Sequence, residues 1–284
     1  MQLALALAVT LVSSFALSVG YLLEHSVASV LPRLRIRHPL RSTRLLLASP
    51  RWLLGFGIEA TGWALYVAAV ALAPLSLVQA TAAGGIGILA IMVSRVTGVR
   101  LSPRERAGVV VSVGGLSLLG ISLAGEHGEG SNGSTATIAV WLIASAAAAF
   151  LAARFGHKLV NSGAAFGLAT GILFAAGDVA TKAVTSGGAE RLPFVIALIA
   201  AYGCGTVILQ AGFQCGGALT TAGIATLFTN ALPIAAGMTI YDEPLPDGAL
   251  GAVRIASFAA VVLGAVALAR SNTPAQSERA VPSV

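Results

Sequence analysis

Charged residues are scarce in this chain: only 10% of its 284 residues are Asp, Glu, Lys or Arg. About a quarter of the residues of a soluble globular protein are charged, so this chain lacks the polar surface that folding in water requires. The composition therefore argues against a soluble enzyme, a nucleic-acid-binding protein and a disordered protein.

Residues that form disulfides and metal clusters are also few. Two cysteines and four histidines supply neither a disulfide framework nor the ligand spacing of a metal cluster. The apolar segments contain no Ser/His/Asp combination for nucleophilic catalysis, and no phosphate-binding loop of the P-loop type occurs. The sequence therefore predicts neither an enzyme nor an ATP-driven pump, and it calls for no cofactor and no nucleic-acid partner.

Long hydrophobic runs make up most of the chain, 56% of which is hydrophobic. A helix needs about 20 apolar residues to cross about 30 Å of hydrocarbon, and the runs lack the period-two alternation of a transmembrane β-barrel. We therefore predict an all-α polytopic membrane bundle of about nine transmembrane helices. The predicted spans are 3–23, 52–72, 75–95, 105–124, 138–153, 164–184, 193–213, 217–239 and 249–269.

Basic residues indicate how the helices are oriented. The predicted loop 24–51 carries six arginines, and most of the other basic residues of the chain fall on the same side of the membrane when nine spans are assumed. Basic loops face the cytoplasm, so we predict a multi-pass protein of the cell membrane with its N-terminus outside and its C-terminus inside. The same loop is placed to contact the headgroups of anionic membrane lipids.

The two halves of the chain resemble each other in hydropathy. Residues 75–124 align with 219–268, and residues 20–25 align with 177–182. Five crossings separate equivalent helices, so the second copy would be inverted, as in many secondary transporters. We predict a first repeat at 1–124, a linking region with span 5 at 125–163, an inverted repeat at 164–270 and a disordered cytoplasmic tail at 271–284, an arrangement written 4+1+4.

Several short motifs accompany this pattern. They are Ser13-Ser14, Glu59 with Tyr66, the run from Ala73-Pro74 to Val78, Leu101 with Gly108, Asn230 with Pro233, and Glu243 with Leu245. With these motifs the chain resembles the drug/metabolite transporter superfamily and, within it, the NIPA-type magnesium transporters. The resemblance implies a 4+1+4 membrane fold and transport of a small solute or of magnesium.

Charged residues inside a membrane are rare and usually mark a pathway or an ion pair. Glu59 is either a protonatable carboxylate that binds a cation or a structural group bonded to a neighbouring helix. Asp178 and Lys182 have the i, i+4 spacing of an ion pair, which is either a switch that responds to the substrate or a self-neutralised pair. Arg254 is either an outer gate or a partner of the acidic residues at 242–247.

Neutral polar side chains extend the candidate site. Tyr66 lies on the same helical face as Glu59, and the glutamines of span 7 recur every four residues. We predict a cavity between spans 2, 3, 7 and 8, because exposed amides are unfavourable in lipid. The predicted substrate- or ion-binding residues are Glu59, Tyr66, Gln79, Asp178, Gln210, Gln214 and Asn230, with Lys182 and Arg254 as an ion pair or gate and no specified metal ligands.

Three functions fit these features. The first is a secondary transporter that moves a metabolite, amine or drug-like compound by alternating access, because Lys182 and Arg254 would offset the charges of Glu59 and Asp178. The second is a NIPA-like transporter of magnesium or another divalent cation. The third is a non-transporting membrane subunit or scaffold, and the sequence leaves the oligomeric state open, a homo-oligomer included.

Overall fold

The computed structural model describes residues 2–32, 44–72, 81–82, 84–98, 100–122, 133–186, 188–241 and 248–270. Within these ranges the regular structure is helical, with no strand. The described residues form nine helices of 14 residues or more. They are α1 (Gln2–Ala28), α2 (Pro50–Leu72), α3 (Gly84–Thr97), α4 (Pro103–Ser122), α5 (Thr135–Phe155), α6 (Ser162–Ser186), α7 (Phe194–Phe213), α8 (Ala218–Ile240) and α9 (Ala249–Ala269).

The chain is a multi-pass membrane protein. In the part of the chain that the structure describes, six helices (α1, α5, α6, α7, α8 and α9) are long and apolar enough to cross a bilayer, and α3 is a shorter apolar helix. Large apolar side chains point outward from them: Ile143 on α5 is 69% exposed and Ile196 on α7 is 74% exposed. Side chains of this kind are stable on the outside of a bundle when lipid surrounds it.

Local sequence explains where the helices begin and end. Ser102 and Glu105 form a capping box at the start of α4, in which the Glu105 amide donates to Ser102 Oγ and the Ser102 amide donates to the Glu105 carboxylate. Ser134 caps α5 in the same way through the amide of Thr137. The first helix differs from the prediction: no Pro interrupts it before Pro32, so α1 continues to Ala28 and residues 24–28 belong to a helix rather than to the basic loop.

Two helical hairpins, α1–α2 and α6–α7, are built around close contacts at glycine. A Cβ placed on Gly20 of α1 would lie 2.9 Å from the Glu59 Cβ of α2, and one placed on Gly177 of α6 would lie 2.8 Å from Cε2 of the Tyr202 ring on α7. Gly20 and Gly177 are aligned positions of the two halves of the sequence. The two hairpins therefore pack at matching points.

The register of contacts gives the relative direction of the other helices. Along the α4–α9 contact, Gly108 meets Leu268, Ser112 meets Gly264 and Gly115 meets Val261, so these two helices are antiparallel. Contacts between α1 and α7 instead advance together along both helices, from Glu24 with Gln210 to Ala28 with Gln214. These two helices are therefore parallel.

The buried centre of the bundle is formed largely by α6 and α8. Gly167 and Gly171 of α6 lie directly against the backbone of α8 at Thr221 and Ala225, and the absence of a side chain at each glycine permits this close helix packing. Most residues of α8 from Ala218 to Leu227 are buried. This tight contact fixes α8 behind the polar groups described next.

Candidate functional site

Two glutamates meet inside the bundle where α1 and α2 cross. The side chain of Glu24 is 0% exposed, and its carboxyl group lies within hydrogen-bonding reach of the carboxyl group of Glu59, which is half-buried. Gly20 allows this approach, because a side chain there would collide with Glu59. Two carboxylates repel each other unless a proton or another cation lies between them, so the pair is suited to hold a cation.

A glutamine from the other half of the chain completes the pair. Gln210 of α7 is 0% exposed, and its Nε2 donates a hydrogen bond to Glu24 Oε2. Glu24 Oε1 and Gln210 Oε1 are both buried and accept no hydrogen bond from the described residues. The centre of the site is therefore lined by oxygen atoms that lack donors.

Tyr21 and α8 form the adjacent wall. The Tyr21 side chain lies close to the Thr226 side chain and to the carboxyl groups of Glu24 and Glu59. Thr229, on the same side of α8, has a buried hydroxyl with no hydrogen-bond partner among the described residues. Pro233 has no N–H to donate to the Thr229 carbonyl, so this stretch of α8 adds a further backbone oxygen.

Asn230, also on α8, forms a hydrogen bond within its own helix. Its Nδ2 donates to the Thr226 carbonyl at 2.7 Å, and the side chain is half-buried. The structure brings the predicted residues Glu59 and Gln210 together at Glu24, with Asn230 one helical turn from Thr226. Gln79 of the predicted span 3 lies outside the described residues.

Asp178 and Lys182 lie elsewhere, in the α6–α7 hairpin and its contact with α8. Asp178 accepts a hydrogen bond of 2.5 Å from the Tyr202 phenol. Lys182 is exposed, and its Nζ lies 3.9 Å from the centre of the Tyr241 ring. Each of the two charged groups therefore has an aromatic neighbour in addition to the i, i+4 relation that the sequence predicts.

Arg254 is buried between α4 and α9. It is 1% exposed and donates to Ser122 Oγ at 3.3 Å and to the Ser122 carbonyl at 3.0 Å. A cation at the end of α4 is favoured by the partial negative charge of a helix C-terminus. The acidic residues at 242–247, which the sequence offers as its partners, lie outside the described residues.

Gln214 has a different environment from Gln210. Its Nε2 donates to the carbonyls of Ala28 at 2.9 Å, Leu31 at 3.1 Å and Pro32 at 3.3 Å. These carbonyls lie at the last residue of α1 or just after it, where carbonyls have no partner within the helix, so this amide fastens the end of α1 to α7. Tyr66, the remaining predicted residue, is half-buried on α2.

Sequence reasoning missed Glu24 and Tyr21. Both lie in the segment 20–25 that aligns with 177–182, but a first span of 3–23 leaves Glu24 in the loop that follows. The signal that could have found them is a polar stripe along α1 at helical spacing, from Ser14 and Ser18 to Tyr21 and His25. His25 is also buried, with its ring edge-on to Phe213 at 5.4 Å between centroids.

Comparison with known proteins gives one informative similarity. No protein-family model and no solved structure matches the chain. The chain is 25% identical to the probable magnesium transporter NIPA9 of Arabidopsis thaliana, in an alignment that covers 93% of this chain and 81% of that protein. The chain is thus similar to a NIPA-type membrane protein over nearly its whole length. Together with the six apolar helices, this similarity supports a membrane transporter role.

Proposed function

We propose that this protein is a membrane transporter for a divalent cation, with Mg²⁺ as the first candidate, and that the cation binds between Glu24 and Glu59. The observation that carries the proposal is the meeting of two carboxyl groups inside a helical membrane bundle. The relative of similar sequence is named as a probable magnesium transporter, which supports the same cargo.

The composition of the site suits a partly hydrated ion. Mg²⁺ is usually held by one or two carboxylates while it keeps several waters. Glu24 and Glu59 supply two carboxylates, and the Gln210 amide adds a neutral oxygen beside them. Among the residues that the structure describes, no group of three or more His, Cys, Asp and Glu side chains forms a complete cage, so water would fill the remaining positions.

The charge balance also favours a cation over a neutral organic solute. An organic solute is favoured only if Lys182 and Arg254 offset the charges of the carboxylates. Lys182 instead lies on Tyr241 and Arg254 lies on Ser122, whereas Glu24 adds a carboxylate that the sequence argument did not count. Two carboxyl groups that meet at one point favour a cation as the ligand, because a positive charge between them stabilises their ionised form.

The transport mechanism would be alternating access between two inverted repeats, α1–α4 and α6–α9, with α5 between them. Matching glycine contacts in the two hairpins support the repeat, and the antiparallel contact of α4 with α9 supports the inversion. Rocking of one repeat against the other would expose the glutamate pair to each side in turn.

The proposed location is the cell membrane, with the N-terminus outside and the C-terminus inside. Impermeant labelling of single cysteines added at each end, in intact and in opened cells, checks this orientation. Labelling of the C-terminal cysteine in intact cells would contradict it.

Magnesium flux into proteoliposomes tests the function. We expect uptake, followed with an internal Mg²⁺-sensitive dye, to be lost in Glu24→Gln and in Glu59→Gln, because each change removes a carboxylate from the pair. Glu190→Gln is the matched control, since Glu190 is an exposed carboxylate that accepts a hydrogen bond from the Gly188 amide. Magnesium uptake that survives both core changes would contradict the proposal.

A second candidate is a small organic zwitterion or amine. The observation that favours it is the Asp178–Tyr202 contact with Lys182 over Tyr241, which places charges of both signs and two phenols on neighbouring helices. Wild-type proteoliposomes that take up no Mg²⁺ but accumulate a labelled amine or amino acid, in a manner abolished by Asp178→Asn, would favour this function instead.

A further inference from the structure

Two buried oxygen atoms at the glutamate pair lack hydrogen-bond donors. Glu24 Oε1 and Gln210 Oε1 belong to fully buried side chains, and neither accepts a hydrogen bond from the described residues. A buried acceptor without a donor is unfavourable, and in native proteins such atoms are normally satisfied by water, an ion or a ligand. The site therefore calls for a ligand that brings hydrogen-bond donors or positive charge.

The amide geometry of Gln210 fixes where its free oxygen lies. Nε2 and Oε1 are bonded to the same carbon, and Nε2 donates to Glu24 Oε2. Oε1 is therefore held beside the carboxyl pair. One turn further along α7, the amide nitrogen of Gln214 instead donates to the carbonyls at the end of α1. Of these two amides, only that of Gln210 contacts the glutamate pair.

A neutral amide oxygen at this place is suited to a hydrated ion. Mg²⁺ loses its waters reluctantly, whereas Ca²⁺ accepts six to eight oxygen ligands directly and in flexible geometry. The two carboxylates and one amide of this site are too few to replace the water shell of either ion. An oxygen that accepts a hydrogen bond from a metal-bound water would favour the ion that keeps its shell.

On the basis of the proposed function, we propose that Gln210 determines cation specificity through Oε1, which accepts a hydrogen bond from a water bound to the cation. Glu24 and Glu59 supply the charge, and Gln210 recognises the water shell. The site then selects a divalent cation that remains hydrated over one that binds protein oxygens directly.

Cobalt(III) hexaammine is the probe for this role, because its six ammine ligands do not exchange during binding and present only N–H donors. Its affinity and that of Ca²⁺ are measured by thermal shift of the detergent-solubilised full chain, in which stabilisation follows ligand concentration over the dissociation constant. We expect Gln210→Leu to weaken hexaammine binding by about 10- to 100-fold, the usual loss for a group that acts through the outer shell of a metal. Calcium binding should change little.

The ratio of the two affinities separates this role from a merely structural one. If Gln210 only holds Glu24 in position, Gln210→Leu will weaken both ions equally, and the inference is overturned. Gln214→Leu makes the same chemical change one turn away and is expected to leave the ratio as in the wild type. Should Gln210→Leu fail to fold, Gln210→Glu keeps an acceptor oxygen and is expected to bind hexaammine at least as tightly as the wild type; weaker binding overturns the inference.

Failure of this inference is distinguishable from failure of the proposed function. If the wild type transports Mg²⁺ and Gln210→Leu leaves the ratio of the two affinities unchanged, only the specificity role of Gln210 is overturned. Wild-type protein that neither transports Mg²⁺ nor is stabilised by Mg²⁺, Ca²⁺ or hexaammine overturns both.

Discussion

The hairpins α1–α2 and α6–α7 share one packing design but carry different polar groups. In the first, Gly20 lies against Glu59, and a second carboxylate, Glu24, meets it. In the second, Gly177 lies against Tyr202, whose phenol donates to Asp178. The first hairpin thus contains two acceptors that need a cation or a proton, whereas the second contains a carboxylate that already has a donor.

Aligned positions in two hairpins can therefore take different roles while the helix packing stays the same. Two helices can approach closely at a glycine because it has no side chain, and both hairpins have such a contact. The polar groups placed at that contact can then diverge. We infer that the first hairpin binds the cargo and the second stabilises the bundle, and four changes test this comparison.

The largest effect is expected from the carboxylates. Glu24→Gln should lower Mg²⁺ affinity by about tenfold or more, equal to about 1.4 kcal/mol, because it removes one of the two charges at the site. Asp178→Asn removes the carboxylate of the other hairpin and should leave the affinity within about threefold of wild type. Titration of the purified variants with Mg²⁺ measures both, and equal losses would show that the two hairpins share the cargo.

The next effect is expected from the glycines. Gly20→Ala would put a Cβ 2.9 Å from both the Gly55 carbonyl and the Glu59 Cβ, whereas Gly177→Ala would meet the Tyr202 ring. Backbone moves less readily than a ring, so Gly20→Ala should destabilise by about 1–3 kcal/mol, the usual range for overpacking, and Gly177→Ala by less. Denaturant unfolding in detergent measures the free energy of unfolding of both variants. A larger loss for Gly177→Ala than for Gly20→Ala would show that the second hairpin is the more tightly packed.

Substitution of Tyr202 and Tyr21 is expected to have a smaller effect, on stability in the first case and on Mg²⁺ affinity in the second. Tyr202→Phe removes the donor to Asp178 and should cost about 1–3 kcal/mol of stability, because it leaves that carboxylate without its partner, with Mg²⁺ affinity retained. Tyr21→Phe, at the glutamate pair, should lower Mg²⁺ affinity while stability changes less. Thermal unfolding measures the stability of both variants, and titration measures their Mg²⁺ affinity. A loss of Mg²⁺ affinity in Tyr202→Phe alone would contradict the prediction.

The smallest effect is expected at Lys182. Lys182 is exposed although the Tyr241 ring that it contacts is buried, and a cation–π contact made by an exposed cation contributes about 0.5–1 kcal/mol. Lys182→Met should therefore lower the free energy of unfolding by no more than about 1 kcal/mol, without effect on magnesium flux. Flux that falls strongly in this variant would show that Lys182 belongs to the transport pathway.

Much of the helix pattern could be predicted from hydropathy, because each helix buries its backbone groups internally and needs an apolar run of fixed length. The run 249–269 coincides with α9, and 193–213 differs from α7 by one residue. The end of α1 was placed too early, because Glu24 and His25 look like the start of a polar loop. They are helical because partners on α2 and α7 bury them.

The candidate site was predictable only in part. Glu59 and Gln210 could be named because polar groups in apolar helices are expensive and therefore few. Their relation through Glu24 could not, since Glu24 and Gln210 are 186 residues apart and no local pattern joins them. Spacing by four residues puts Gln210 and Gln214 on a shared helical face but does not show what faces them: Gln210 contacts Glu24, whereas Gln214 contacts the end of α1.

By itself, the sequence determined that the chain is a helical membrane protein, because a chain with so few charges cannot cover itself in water, and it determined which few polar groups have to be buried. The tertiary structure alone decided which of these groups meet. Gly20 lets α2 approach α1 and the parallel contact of α1 with α7 brings in Gln210, so two glutamates and an amide converge at one point. Arg254 and Lys182 are held elsewhere by Ser122 and Tyr241, because electrostatic interactions depend on distances that only packing sets.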